Sequence, residues 1–427
     1  MHYHKTTLDN GLRIVTVPRT DAPSAAAMVL VGVGSRHETD AEAGIAHFIE
    51  HNVFKGTEVR SQQGQISEEI ESAGGVMNAA TSNDFTYYWA KAAASQLDKM
   101  LDVVMDVSVN MTFPERDLEI ERGNVIEEIN MYQDNPMSRI QHKFSEFVWN
   151  GHAVGRSTLG SKETVGAMKR EQLLSFVQTN YTPERMIVVV AGKLDQERVE
   201  SQVKAFYDAQ GPGPAIRQGR ALDDQFVEFQ TAARVMIDTD ETQQTHFCIG
   251  FKTFGRDDHR RFTLDLINTI LGQGMSSRLF KKIREELGLA YYVGSANWET
   301  DETGLWYARA GVDNQRAEQA VGAILTEFNK LAQDQVEAGE LRKGKEYLKG
   351  KTLLSVETSD DLAEWYGFQE LLEKEVLTSQ EYNDRIEAVT ADEIRRVAGE
   401  LLREDRVNLA LVGPFQGKDE FEKLLSI

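Results

Sequence analysis

At 427 residues, 41% hydrophobic and 27% charged, the chain has the composition of a folded globular protein and neither a disordered nor a fibrous one. That length exceeds one ordinary core, so two domains of roughly 200 residues each are expected. A formal net charge of -21 argues against a nucleic-acid partner, since binding to phosphate would need a basic face. The same acidity would attract basic peptides or simply keep the surface soluble.

Taken in chain order, the N-terminal stretch Met1-His2-Tyr3-His4-Lys5 lacks the charged-then-apolar order of a secretory signal and runs into strand-like Arg13-Ile14-Val15-Thr16-Val17. A cytoplasmic protein is expected. The next informative segment, Gly44-Ile45-Ala46-His47-Phe48-Ile49-Glu50-His51-Asn52-Val53-Phe54, has helical periodicity and no proline or glycine after Gly44. On a helix, His47 and His51 project about 40° apart, with Glu50 about 60° to the other side of His47. Two imidazoles one turn apart can chelate a zinc ion, and a carboxylate beside them can take a proton from water. The same face also fits two solvated or hydrogen-bonded histidines.

A catalytic zinc needs a third protein ligand and an open position. Downstream, the segment from Glu115 to Asn130 reads as a helix whose face through Leu118, Val125 and Tyr132 also carries Glu121 and Glu128. These two carboxylates differ by only about 20° around the axis and sit among apolar neighbours, where a carboxylate needs a partner. Glu127 points elsewhere, with Ile120, Asn124 and Met131. Glu128 is therefore the expected third ligand and Glu121 its neighbour, although a charged amphipathic helix would look the same by itself.

Met186-Ile187-Val188-Val189-Val190-Ala191 is among the most apolar runs and reads as a buried strand, far short of the roughly 18 residues of a membrane span. The Gly/Pro stretch beginning Gln210-Gly211-Pro212-Gly213-Pro214 marks a linker, placed at 211–221 between domains 1–210 and 222–427. In the second half, the single cysteine, Cys248, falls inside strand-like His246-Phe247-Cys248-Ile249-Gly250-Phe251 and reads as a packed hydrophobe. Arg406-Val407-Asn408-Leu409-Ala410-Leu411-Val412-Gly413 parallels Arg185 to Gly192. Each follows a helix-like segment, from Asp392 and Glu171 respectively, which points to a diverged internal duplication.

With these residues in place, the sequence resembles the pitrilysin-type, or inverzincin, M16-like zinc metallopeptidases, the group that includes mitochondrial processing peptidase and insulin-degrading enzyme. The resemblance rests on His47-Phe48-Ile49-Glu50-His51, Phe54-Lys55-Gly56-Thr57, Gly74 to Thr81, Glu121-Arg122 to Glu128, Asn180 to Met186, Ser277-Arg278-Leu279-Phe280, and Arg284 through Tyr291. In size and layout it is closest to the two-domain processing peptidase-like members. It implies an α+β fold of two homologous domains, each a mixed β-sheet packed against helices, with the metal residues lost from the second. It further implies one Zn2+ per chain held by His47, His51 and Glu128, with Glu50 as general base and Glu121 orienting a ligating histidine.

Peptides would be gripped as an added strand along Asn78-Ala79-Ala80, and Arg284 and Tyr291 would contact substrate near the scissile bond. Ala80 stands where many relatives have a larger residue. Short members commonly pair to enclose a chamber, so a homodimer acting on peptides or unfolded polypeptides is expected. A catalytically silent peptide-binding or structural subunit of the same fold is the alternative.

Overall fold

The computed structural model of the chain describes residues 3–210 and 228–425. The expected linker at 211–221 lies outside the described residues. The chain divides into two compact α+β units: one of Met1–Asn130, Arg156–Asp224 and Leu353–Ser379, the other of Met131–Gly155, Gln225–Thr352 and Gln380–Ile427.

The first unit is built on a mixed sheet of β1 (His4–Thr7), β2 (Arg13–Pro18), β3 (Ser24–Val31), β4 (Val76–Thr81), β5 (Thr86–Ala93) and β6 (Met186–Gly192). Their spatial order is β1-β2-β6-β3-β5-β4, with β2 and β6 parallel and the other pairs antiparallel. The Ile-Val-Val-Val run of β6 is buried along its whole length, as a central strand covered on both faces requires. At one end of the sheet, β4 pairs only with β5 and leaves its other edge without a strand among the described residues.

The second unit repeats this plan with β7 (Arg234–Thr239), β8 (Gln244–Phe254), β9 (Ala290–Glu299), β10 (Thr303–Asp313) and β11 (Val407–Gly413), in the order β7-β11-β8-β10-β9. Here β7 and β11 form the parallel pair, matching β2 and β6. The helix and 3₁₀ turn before β6, Arg170–Asn180 and Pro183–Arg185, have counterparts before β11 in Ala391–Leu401 and Glu404–Arg406. Cys248 is fully buried in β8.

Each unit is completed by a helix from the other half of the chain. Pro136–Trp149 places Ile140, Phe144, Val148 and Trp149 against Cys248, Leu305, Ala410 and Val412 of the second unit. Ser359–Leu372 places Leu362, Ala363 and Tyr366 against Met28, Leu30 and Val189 of the first. Gly367 allows this close approach, since a Cβ there would stand 2.6 Å from Leu30 Cδ1 and 3.0 Å from Val189 Cγ2. No helix among the described residues is long and apolar enough to cross a membrane.

Candidate metal centre

The helix Ile45–Asn52 buries Ile45, Ala46, Phe48 and Ile49, which fixes its rotation and leaves Glu50 and His51 partly accessible on the other side. Its start is specified by Gly44, whose φ of +91° suits glycine, and whose missing side chain makes room for Leu159 O, 2.7 Å from where a Cβ would lie. In place of a capping side chain at Gly44, the buried Glu38 carboxylate accepts the N–H of Gly44 at 2.8 Å and of Ala46 at 3.0 Å. The α-helix ends at Asn52, and the residues read as its continuation tighten into a 3₁₀ turn, Val53–Lys55.

Against this helix lies the first part of the long helix Glu115–Asp134, docked through Leu118, Val125 and Ile129, with the Arg122 guanidinium 5.3 Å from the centroid of the Phe48 ring. The packing brings three side chains of the expected set together. His47 Nε2 is 3.5 Å and His51 Nε2 3.2 Å from the same oxygen, Oε2 of Glu128. One ligand atom from each of His47, His51 and Glu128 lies within 4.8 Å of the others. A tetrahedral zinc with bonds near 2.0–2.1 Å holds its ligand atoms about 3.3 Å apart, so this donor set fits the ion in both chemistry and spacing.

Around these atoms the structure adds a further layer. Glu121 Oε2 is 3.3 Å from Nδ1 of His51 and accepts from Asn124 Nδ2 at 3.0 Å, while Glu121 Oε1 is 2.7 Å from Lys55 Nζ. Burial pushes Glu121 upward, but the hydrogen bonds from Lys55, Asn124 and His51 outweigh it, and its carboxyl lies below the usual range. The hydrogen bond from His51 likewise lowers Glu128 and raises His51. His47 is pushed down to about 4, first by burial and then by repulsion from His51, so at neutral pH its imidazole is uncharged, as metal coordination requires. Burial raises Glu50, opposed by hydrogen bonding with Thr81.

The other expected site residues fall on an edge strand of the first unit and, in the second unit, on an edge strand and the helical segment before it. Asn78, Ala79 and Ala80 lie on the edge strand β4 of the first unit, where the Asn78 side chain accepts the N–H of Ala79 at 2.9 Å. Arg284 and Tyr291 are neighbours in the second unit, the guanidinium 5.9 Å from the Tyr291 ring centroid. Arg284 sits on a π-helical segment, Phe280–Glu286, and Tyr291 near the start of the edge strand β9. Gly311 pairs with Tyr292 and Val312 with Ala290, so Tyr291 is the extra residue of a β-bulge; the residue is 75% exposed. The structure adds Lys55, Asn124 and Glu38 to the residues expected from the sequence. Lys55 continues the i, i+4 series of His47 and His51, and Asn124 follows Glu121 by three, but Glu38 reaches the helix from a preceding loop and leaves no periodic signal.

A duplicated α+β scaffold carrying, among the described residues, a His-His-Glu cluster has the layout of a metallopeptidase. Residues 13–162 match the family model described as Insulinase (Peptidase family M16), and residues 167–348 that of the Peptidase M16 inactive domain. An uncharacterized zinc protease of Streptomyces coelicolor is 34% identical over 97% of this chain and 90% of its own length. One from Bacillus subtilis is 33% identical over 96% of this chain and 97% of its own. Among solved structures, a protease from Helicobacter pylori superposes with a TM-score of 0.90 at 24% identity, covering 97% of this chain and 99% of that one. The chain belongs to peptidase family M16.

Proposed function

We propose that this chain is a zinc-dependent endopeptidase that hydrolyses peptides or unfolded polypeptides, including basic ones. The observation that carries the reading is the convergence of His47, His51 and Glu128 at spacings that suit one tetrahedral ion, with Glu50 on the helix that bears both histidines. The name of the relatives, zinc protease, supports it.

In this reading His47, His51 and Glu128 hold one zinc per chain, and Glu121 orients His51. When bound, zinc supplies Lewis-acid polarisation of the scissile carbonyl and makes water a nucleophile at neutral pH. Glu50 accepts the proton of the attacking water and returns it to the amine nitrogen as the C–N bond breaks. The burial that raises its pKa suits a group that must both take and give a proton. Substrate adds as a strand to the free edge of β4 along Asn78, Ala79 and Ala80. Arg284 and Tyr291 bind the peptide near the scissile bond, the Tyr291 hydroxyl donating to the developing oxyanion.

A homodimer would enclose the substrate, and light scattering showing a fully active monomer would count against that part. The test of the whole is cleavage of a mixed peptide library before chelation, after chelation and after zinc is returned. Activity lost and regained supports a peptidase. Absence of cleavage by the zinc-loaded chain favours a silent peptide-binding or structural subunit.

A further inference from the structure

The two histidines of the candidate centre are held by different means. His51 presents Nε2 toward Glu128 while its Nδ1 meets Glu121 at 3.3 Å. Buried Nδ1 of His47 finds no hydrogen-bond partner among the described residues, and the ring packs edge-on against His51, centroids 4.6 Å apart. The orientation of His51 therefore matters twice, once for its own nitrogen and once as the surface that positions His47.

What fixes His51 is Glu121, and what fixes Glu121 is a cation. Both oxygens of this carboxylate are engaged, Oε1 by Lys55 Nζ at 2.7 Å and Oε2 by Asn124 at 3.0 Å and His51. Lys55 is itself anchored through the backbone that follows it. Gly56 O accepts the N–H of Thr112 at 3.1 Å, Thr57 forms an isolated bridge with Met111, and Thr57 Oγ1 donates to buried Asp106 at 2.7 Å. The ammonium thus reaches Glu121 from a pinned turn.

We propose that Lys55 is a positioning residue of the metal centre: it clamps Glu121 so that the carboxylate accepts Nδ1–H of His51 and turns the Nε2 lone pair toward the ion. This rests on the reading of His47, His51 and Glu128 as ligands. Without the ammonium, the Glu121 side chain, only 8% exposed, loses its charged partner and its fixed orientation. His51 then samples both tautomers and other ring angles, and the donor set is no longer pre-organised.

The experiment is chelator competition for zinc, carried out on metal-stripped full-length wild type, Lys55→Met, Lys55→Arg, Glu121→Gln and the Lys55→Met/Glu121→Gln double variant. Lys55→Met and Glu121→Gln are each expected to weaken zinc binding by about ten- to a hundredfold, the range for lost partners of ligating groups. Lys55→Arg, which keeps the charge, restores most of the affinity, and the double variant binds no more weakly than Glu121→Gln. Lys55→Gln carries the same comparison should Lys55→Met fail to fold. Wild-type affinity in the neutral variants, no rescue by arginine, or losses that multiply in the double variant would overturn the role of Lys55 while leaving the zinc site intact. A wild type that binds no zinc would overturn the site itself and Lys55's role with it.

Discussion

His51 Nε2 stands 3.2 Å from Glu128 Oε2, joining the helix that begins just after Gly44 to the helix that begins at Glu115. With Glu50 nearby and Glu121 paired with Lys55, this corner of the fold gathers carboxylates that a divalent ion would bridge. Zinc bound to the folded state alone should therefore stabilise the chain. At free zinc one hundred times the dissociation constant the gain is about 2.7 kcal/mol. Calorimetry of stripped and reloaded protein is expected to show the rise in melting temperature in wild type and its absence in His51→Ala.

Glu38 gives a pH dependence of known sign. Its carboxyl is raised from 4.5 to about 8 by burial, against the lowering effect of the Ala46 and Gly44 N–H groups and Arg156. A carboxyl raised on folding binds its proton more tightly in the folded state, so its contribution is complete below about pH 4.5 and is lost as pH climbs toward 8. One such group changes stability by at most about 1.4 kcal/mol per pH unit. Glu38→Gln should flatten the stability profile of the metal-free protein across that window. An unchanged slope in urea titrations at several pH values would count against this assignment.

Arg60 holds three carboxylates at once, Asp106 at 2.7 Å, Asp102 at 2.6 Å and Glu69 at 3.0 Å. Its side chain and that of Asp106 are almost fully enclosed, 8% and 2% exposed. Removing the cation strands the Asp106 charge in the interior. Arg60→Met is expected to cost about 3 kcal/mol in denaturant unfolding, toward the low end for a broken buried pair because Thr57 and Asn110 still donate to Asp106.

Helix exchange makes the halves of the chain dependent on each other. A fragment ending at Gln210 lacks Leu362, Ala363 and Tyr366, which cover Met28, Leu30 and Val189. Expressed alone, residues 1–210 should aggregate or bind a hydrophobic dye, and co-expression with residues 211–427 should recover soluble protein. In the intact chain, Tyr366→Ala should cost about 3–5 kcal/mol, as loss of a large buried ring does.

The equivalence of β6 and β11 and the shared face of His47, Glu50 and His51 were legible because each rests on local periodicity, whereas the α+β class came from the resemblance of several separated motifs to a known family. Glu128 was reachable by the same route: the apolar stripe of its helix singled out the carboxylates on the buried side and left Glu127 exposed. The exchanged helices were not legible, since the apolar faces of Pro136–Trp149 and Ser359–Leu372 do not reveal which sheet they cover. Glu38 was not legible for a related reason: its role depends on a loop, where side-chain direction follows tertiary contacts rather than a repeat. Lys55 does continue the spacing of His47 and His51, but nothing in that spacing shows that its ammonium meets Glu121 of another helix. The bulge that exposes Tyr291 depends on strand pairing that no single segment encodes.

Zinc content and peptide cleavage, measured together on wild type and Glu50→Gln, test the peptidase reading most directly, because the substitution removes the proposed base and spares the three proposed ligands. The expected result is about one zinc per chain in both proteins, with cleavage by the wild type and a loss of at least about a hundredfold in the variant. Equal cleavage by the two proteins, or a zinc-loaded wild type that cuts nothing, would contradict it.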